Sequence, residues 1–147
     1  MKRKLLENLI EWKSRKAHKP LILEGARQVG KTWLMQEFGK TQYKKVAYIN
    51  FDRNLKMRET FETDLDTKRL ITAIGLDAEF KITPEDTLII FDEIQECPRA
   101  ITSLKYFNED APEYDIIAAG SLLGVAHHTG TGFPVGKVEF LRLYPLS

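Results

Sequence analysis

The chain has 147 residues, a formal net charge of +1 and a single cysteine, Cys97. The near-neutral charge excludes a global basic surface for nucleic acid, and the lone cysteine excludes an internal disulfide. No apolar run is long enough to cross a bilayer and no apolar signal core precedes the first charged segments, so we expect a cytoplasmic protein without a membrane partner.

The first segment is predicted to be an amphipathic helix over residues 2–16, because four apolar side chains recur on one face: Leu5, Leu6, Leu9 and Trp12. Core packing is the expected role of Trp12, with a position near a bound purine as the alternative. The surrounding basic residues have the composition of a solvated helix face. Pro20 then separates an N-terminal helix and linker, residues 1–19, from a single core domain, residues 20–147.

A short apolar strand follows and leads into a glycine-bounded loop. Residues 25–32 match G-x-x-x-x-G-K-[ST], the Walker A or P-loop pattern. The two glycines allow a sharp turn and a close backbone approach, and the amide groups that follow converge at a helix N-terminus, where the dipole favours an anion. The residues expected to contact a nucleotide are Gly25, Ala26, Arg27, Gln28, Val29, Gly30, Lys31, Thr32 and Trp33.

Within this loop, Lys31 is placed to bridge the β- and γ-phosphates, and the Thr32 hydroxyl is placed to ligate Mg²⁺. ATP and Mg²⁺ are therefore the predicted ligands. The alternative is a glycine-rich turn with an exposed lysine. The helix after the loop is predicted over residues 31–38, with Gly39 as its C-terminal cap.

The middle of the chain predicts one strand and two helices. Residues 46–51 are mostly apolar and β-rich, as in a strand that is covered on both faces. Asn54 is a candidate N-cap before helices over residues 55–63 and 66–75, and Gly75 is a candidate end of the second helix. The predicted buried anchors of these helices are Phe61, Leu70, Ile71 and Ile74.

A second informative strand, residues 87–91, ends in two adjacent carboxylates, Asp92 and Glu93. The carboxyl ends of parallel strands face the ligand crevice of an α/β sheet. Asp92 is therefore expected to hold Mg²⁺, usually through water, and Glu93 to orient or deprotonate an attacking water. Acidic strand ends are common, so a solvated strand end is the alternative. The position of the pair, well after Lys31 in an α/β alternation, favours a Walker B motif.

Pro98 predicts the first position of a helix that reaches about residue 108, which makes Cys97 a packing thiol at the helix start. The apolar stripe of this helix is Ile101, Leu104 and Phe107. Residues 115–120 predict another buried strand, and Ser121 would follow it near the γ-phosphate, where a polar side chain can hold the attacking water. An ordinary N-cap for the next turn is the alternative for Ser121.

The last part of the chain predicts a loop and a strand. Residues 127–132 contain two adjacent histidines and two glycines, a loop composition, and adjacent histidines do not face one metal ion from a helix. No metal site other than the magnesium site is therefore predicted. Residues 137–143 predict the final strand.

With GARQVGKT, LIIFDEIQECPRA, AAGSLLG and GKVEFLRLYPLS in this order, the sequence resembles a family of bacterial and archaeal AAA-superfamily ATPases. That family joins an N-terminal ATPase core to a C-terminal domain of unknown function, and the resemblance covers essentially the whole chain. It implies an α/β fold, a three-layer αβα P-loop NTPase with a mostly parallel sheet of about five strands. It also implies that residues 1–147 are the AAA-type core, ending before the lid, the second sensor arginine and the C-terminal domain.

The resemblance implies a role for each motif residue. Lys31 and Thr32 would bind phosphate and Mg²⁺, Asp92 would be the Walker B metal residue, Glu93 the catalytic glutamate and Ser121 the first sensor. AAA enzymes usually need an arginine from a neighbouring subunit as well. The candidates, without a motif match that assigns either, are Arg99 and Arg142.

The leading hypothesis is an ATPase that produces ADP and phosphate with Mg²⁺ and drives or gates an unknown partner interaction, with Lys31, Glu93 and Ser121 as catalytic residues. The alternative is a nucleotide-gated module that binds DNA or protein with negligible hydrolysis in isolation, which the basic N-terminal segment motivates. A kinase with a small acceptor is a third hypothesis, and the paired carboxylates favour water as the acceptor instead. The partner, and the homo-oligomeric state of the full-length protein, stay open.

Overall fold

The computed structural model describes residues 2–25, 30–120 and 136–143. Helices and strands alternate through these ranges. The helices are α1 (Lys2–Ser14), α2 (Lys31–Gln42), α3 (Leu55–Thr63), α4 (Thr67–Ala78) and α5 (Pro98–Asp110). The strands are β1 (Leu21–Glu24), β2 (Lys45–Asn50), β3 (Thr87–Asp92), β4 (Asp115–Ala119) and β5 (Glu139–Arg142), and a 3₁₀ turn, Ile94–Glu96, follows β3.

The strands form one sheet in the order β2-β3-β4-β1-β5, and each neighbouring pair is parallel. The predicted α/β fold with a mostly parallel sheet of about five strands is confirmed. Parallel strands run in the same direction, so their carboxyl ends lie together at what we call the carboxyl edge of the sheet. The residues that follow β1, β3 and β4 are therefore brought to one side of the molecule. That edge contains the predicted motifs.

Helices cover the sheet on both faces. Along β1, the side chain of Ile22 packs with the α3, α4 and α5 side, whereas Leu21 and Leu23 pack with the α1 and α2 side. All six residues of β3 are buried, as expected for a central strand between two helical layers. Trp12 of α1 is almost fully buried and its Nε1 donates a hydrogen bond to the Lys19 carbonyl, so its predicted role in core packing is confirmed.

Strand β2 differs from its prediction. It lies at one edge of the sheet and pairs only with β3 among the described strands. Ala47 and Ile49 are buried, whereas Val46 and Tyr48 on the other face are half-buried. The predicted cover is therefore complete on one face and partial on the other, where Val46 and Tyr48 pack against the cluster formed with α1 and α2. Apolar content alone does not distinguish an edge strand from a central one. Phe51 is fully buried but lies in the turn after the strand.

Two glycines that were predicted to end helices lie inside them. Gly39 is buried within α2, where an added Cβ would lie 2.5 Å from Val46 Cγ2 and 3.2 Å from Leu88 Cδ2. Its function is to let the helix approach the sheet closely, a requirement that the local sequence does not show. Gly75 lies within α4, which continues to Ala78, and its carbonyl accepts the amide N–H groups of the capping residue Glu79 and of Phe80.

Other local predictions are confirmed. The Asn54 side chain caps α3 by accepting the Met57 amide N–H at 3.0 Å, and Pro98 opens α5. Cys97 is buried at the start of that helix, and burial raises the pKa of its thiol, which fits a packing role. Of the helices in the described ranges, none has the length and apolar character needed to span a bilayer.

His18, in the connection from α1 to β1, joins the N-terminal helix to the core. Its Nε2 lies 2.6 Å from Asp115 Oδ1, and its Nδ1 lies 2.6 Å from the Arg15 carbonyl oxygen. Both partners are acceptors, so the doubly protonated ring satisfies both contacts. The hydrogen bond to Asp115 raises the pKa of His18, against burial, which lowers it; the Arg15 carbonyl and the charge of Glu139 act in the same direction as Asp115. The Tyr43 hydroxyl donates to the other Asp115 oxygen at 2.6 Å.

We predict that Gly39→Ala destabilises the fold, because the new methyl group overlaps Val46. Overpacking of this kind costs about 1–3 kcal/mol, against roughly 0.5–1 kcal/mol gained from the helix preference of alanine. Urea unfolding measures the difference. In a Val46→Ala background the same Gly39→Ala change should become neutral or stabilising, and an equal cost in both backgrounds would contradict the close approach.

We predict that the His18 contacts stabilise the protein more when the imidazole is protonated than when it is neutral. A raised folded-state pKa means that this contribution is full below the ordinary value of about 6.5 and is lost as the pH rises through the raised pKa. The free energy of unfolding of the wild type minus that of His18→Gln should therefore fall as the pH rises from about 6.5 through the raised pKa of His18. A constant difference across this range would contradict the assignment.

Candidate functional site

The connection from β1 to α2 is bounded by two glycines in conformations that disfavour other residues. Gly25 has φ 155° and Gly30 has φ 78°. Gly30 is the N-cap of α2, and its carbonyl accepts the Leu34 amide N–H at 2.9 Å. Because Gly30 has no side chain to cap the helix, the first amide groups of α2 depend on the loop, water or a ligand for partners. This helix end is suited to an anion.

Lys31, the first residue of α2, reaches across the ends of two strands. Its Nζ donates to the carbonyl oxygen of Gly25 at 2.7 Å and of Gly120, directly after β4, at 3.3 Å. Burial lowers the pKa of Lys31, and the charges of Glu93 and Asp92 oppose that shift. The ammonium group therefore lies between the loop after β1 and the acidic end of β3.

Asp92, the last residue of β3, is buried and accepts three hydrogen bonds. Its Oδ2 accepts the hydroxyl groups of Thr32 at 2.7 Å and of Tyr48 at 2.6 Å. Its Oδ1 accepts the Glu93 amide N–H at 3.0 Å. Burial, followed by the contact with Asp92, raises the pKa of Tyr48, so the phenol remains a donor at neutral pH. The carboxylate thus links the first turn of α2 and strand β2 to the end of β3.

Glu93 follows in a left-handed conformation with φ 51°, which is unusual for a residue with a side chain. Its Oε1 accepts the Gln95 Nε2 group at 2.8 Å, and the same Nε2 lies 3.5 Å from Glu96 Oε2. Since both neighbours are acceptors, the amide nitrogen of Gln95 must face them. Gln95 Oε1 is buried and has no donor among the described residues. Gln95 therefore holds one oxygen of the Glu93 carboxylate.

The structure brings four predicted residues to the carboxyl edge of the sheet: Lys31, Thr32, Asp92 and Glu93. Trp33 lies on the first turn of α2 with 48% of its surface exposed. Residues 26–29 of the loop and Ser121 lie outside the described residues, so their predicted contacts stay predictions. The same holds for the loop at residues 127–132.

The two arginines without a motif assignment have different surroundings. Arg99 Nε donates to the Phe61 carbonyl at 3.2 Å, so this side chain contacts the end of α3. Arg142 ends β5 and is exposed. These surroundings do not assign to either arginine the role of a residue donated to a neighbouring subunit.

Tyr48 and Gln95 were missed by the sequence analysis. Tyr48 belongs to a mostly apolar strand in which an aromatic residue is ordinary, and its contact depends on the pairing of β2 with β3. The signal available for Gln95 was its position two residues after Glu93, on a turn that the sequence alone did not predict. Both were missed because their roles depend on side-chain direction.

The oxygen atoms of Thr32 and Asp92 fit a magnesium ion. Hydroxyl and carboxylate oxygens are the ligands that this hard cation prefers, and the two residues already lie within 2.7 Å of each other. Among residues 2–25, 30–120 and 136–143, no group of three or more histidine, cysteine, aspartate or glutamate side chains is arranged to hold a metal. A cation here would therefore share its remaining ligands between phosphate and water, as Mg²⁺ commonly does.

A groove of about 730 Å³ lies elsewhere, between α4 and the end of α5. Ile82 and Tyr114, which line it, precede β3 and β4, so the groove is at the edge where these strands begin. Ile71 and Leu76 form part of its apolar lining, and Lys68 and Glu79 are among its charged residues. Lys31, Thr32, Asp92 and Glu93 lie at the opposite edge of the sheet, where the strands end.

A parallel sheet covered by helices on both faces, with a glycine-bounded loop between β1 and α2, defines the P-loop-like class of α/β proteins. The model of the AAA domain family matches residues 17–147, and the chain belongs to this family. Membership implies nucleotide binding and confirms the resemblance to AAA proteins. No curated protein matches the chain.

Two solved structures share the fold. The Walker-type ATPase PABY2304 of Pyrococcus abyssi matches 99% of this chain and 53% of its own, with 19% identity and a TM-score of 0.55. For PCH-2 of C. elegans, the match covers 99% of this chain and 43% of the PCH-2 chain, with 14% identity and a TM-score of 0.54. The chain therefore spans about half the length of these structures, and at this identity the likeness concerns the fold.

Proposed function

We propose that this domain binds ATP together with Mg²⁺ and hydrolyses ATP to ADP and phosphate. The observation that carries the proposal is the hydrogen bond of 2.7 Å between Thr32 and Asp92, which joins two sequence motifs 60 residues apart. Beside this contact, Lys31 and Glu93 supply a cation and a second carboxylate at the same edge of the sheet. Membership of the AAA family supports the nucleotide as the ligand.

In this proposal, the residues of the chain position and neutralise charge. The amide groups of the loop and the Lys31 ammonium contact the β- and γ-phosphates, and Thr32 and Asp92 hold the cation. Bound Mg²⁺ supplies charge neutralisation across the β- and γ-phosphates. Electrostatic stabilisation of this kind is the main contribution that a protein can make to phosphoryl transfer.

Glu93 is the proposed general base. One of its oxygens, Oε1, accepts the Gln95 amide, and the other, Oε2, would accept a proton from the attacking water. Ser121, which follows the Gly120 carbonyl contacted by Lys31, is proposed to hold that water or the γ-phosphate. Water is the proposed acceptor because a second carboxylate, that of Glu93, adjoins the cation site.

Three cations of the basic N-terminal segment make contacts within the protein. Arg15 pairs with Glu139 at 2.9 Å, and Lys13 lies over the Tyr43 ring at 4.9 Å. Lys19 donates to the Gly136 carbonyl at 2.8 Å. These cations stabilise contacts within the protein, so we propose hydrolysis as the primary activity and propose no nucleic-acid partner.

We predict that Lys31→Ala weakens ATP binding by roughly 10–100-fold, because charged hydrogen bonds contribute about 1.5–3 kcal/mol each. Calorimetric titration of the full-length protein with Mg²⁺–ATP measures the affinity. Lys40→Ala removes an exposed lysine from the other end of the same helix and should bind like the wild type. Equal affinities for the wild type and Lys31→Ala would contradict the phosphate site.

We predict that Glu93→Gln retains ATP binding while phosphate release falls by about 10²–10⁴-fold, the usual contribution of a general base. Turnover is measured as phosphate release by the full-length protein. Glu59→Gln, an exposed carboxylate of α3, is the control and should keep wild-type turnover. If Glu93→Gln also keeps wild-type turnover, Glu93 is not the base.

A further inference from the structure

The Tyr48 hydroxyl has a specific relation to the proposed metal site. It donates to Asp92 Oδ2 at 2.6 Å, the same oxygen that accepts the Thr32 hydroxyl at 2.7 Å. We infer that Tyr48 is a positioning residue, which holds the Asp92 carboxylate in the orientation that the magnesium ion requires. This inference rests on the proposed function and extends it to a strand that carries no nucleotide-binding motif.

The register of the sheet explains how Tyr48 reaches Asp92. Tyr48 of β2 lies opposite Ile90 of β3, and Asn50 lies opposite Asp92. Asp92 is therefore the diagonal neighbour of Tyr48, two residues further along the same face. Diagonal neighbours are about 7–8 Å apart, within reach of an aromatic side chain. A shorter side chain at this position would not bring a donor to the carboxylate.

The contact can persist when a cation binds. Thr32 donates its proton to Asp92 and keeps oxygen lone pairs for a metal ion. Tyr48 is directed at the carboxylate, so it acts on the metal through Asp92. Partners of this kind orient the ligand and tune its basicity, and their loss typically costs 10–100-fold in metal affinity. Tyr48 should accordingly affect the affinity for the cation and leave the phosphate contacts unchanged.

A second tyrosine provides a matched comparison. Tyr43, which follows α2, donates to Asp115 Oδ2 at 2.6 Å at the opposite edge of the sheet. Asp115 begins β4, far from the glycine-bounded loop, and its other oxygen contacts His18. The two tyrosine–aspartate pairs have the same chemistry and length, and only the Tyr48 pair includes a predicted metal ligand.

The test compares Tyr48→Phe with Tyr43→Phe in the full-length protein saturated with ADP. Mn²⁺ is the probe, and electron paramagnetic resonance of free Mn²⁺ measures its binding. Tyr48→Phe should weaken Mn²⁺ binding by about 10–100-fold, whereas Tyr43→Phe should stay within about twofold of the wild type. The affinity for ADP without a divalent cation should be the same in all three proteins, and melting temperatures report on folding.

The outcomes distinguish a failure of the inference about Tyr48 from a failure of the proposed function. Wild-type Mn²⁺ affinity in Tyr48→Phe, or an equal loss in both variants, would overturn the role of Tyr48 while the nucleotide site stands. A wild-type protein that binds neither ADP nor Mn²⁺ in the presence of ADP would overturn the proposed function itself, and this inference with it.

Discussion

The hydrogen bond between the Thr32 hydroxyl and Asp92 is the constraint on which the site depends. Thr32 opens α2, and Asp92 ends β3, which is separated from β1 by β4. Neighbouring strands are about 4.8 Å apart, so Thr32 is displaced by about 10 Å across the sheet from the strand that leads into α2. At the other end of the helix, Gly39 allows a close approach to Val46 and Leu88. Two features thus position α2: the hydrogen bond from Thr32 to Asp92 at its start and, near its end, the lack of a side chain at Gly39.

The sheet carries two clusters of similar chemistry at its opposite edges. In each, a buried aspartate accepts a tyrosine hydroxyl, with Tyr48 on Asp92 and Tyr43 on Asp115. The cluster at the start of β4 includes His18 and joins the N-terminal helix to the core, which is a structural task. The cluster at the end of β3 faces a helix N-terminus and a lysine. The two clusters therefore differ in surroundings because they lie at opposite strand ends, and the proposed function concerns the one at the end of β3.

Glu93 combines an unusual backbone conformation with a held side chain. A non-glycine residue with positive φ costs on the order of 1–3 kcal/mol, and such residues are common at functional sites. The Gln95 amide fixes one oxygen of its carboxylate, and the turn after β3 fixes the backbone through the Glu96 amide, which donates to the Glu93 carbonyl at 3.1 Å. The proposed base is therefore oriented by the turn that follows its own strand.

The amino-acid sequence by itself determined the fold class, the strand and helix order and the two motifs, because apolar periodicity and glycine spacing are local properties. It also determined the N-cap Asn54 and the first helical residue Pro98, whose effects extend over a single turn. Only the tertiary structure decided that β2 is an edge strand and that Gly39 lies inside a helix, since both depend on which element packs against them. The Tyr48 contact with Asp92 was decided in the same way, because strand register and side-chain direction are set by the packing of the whole sheet.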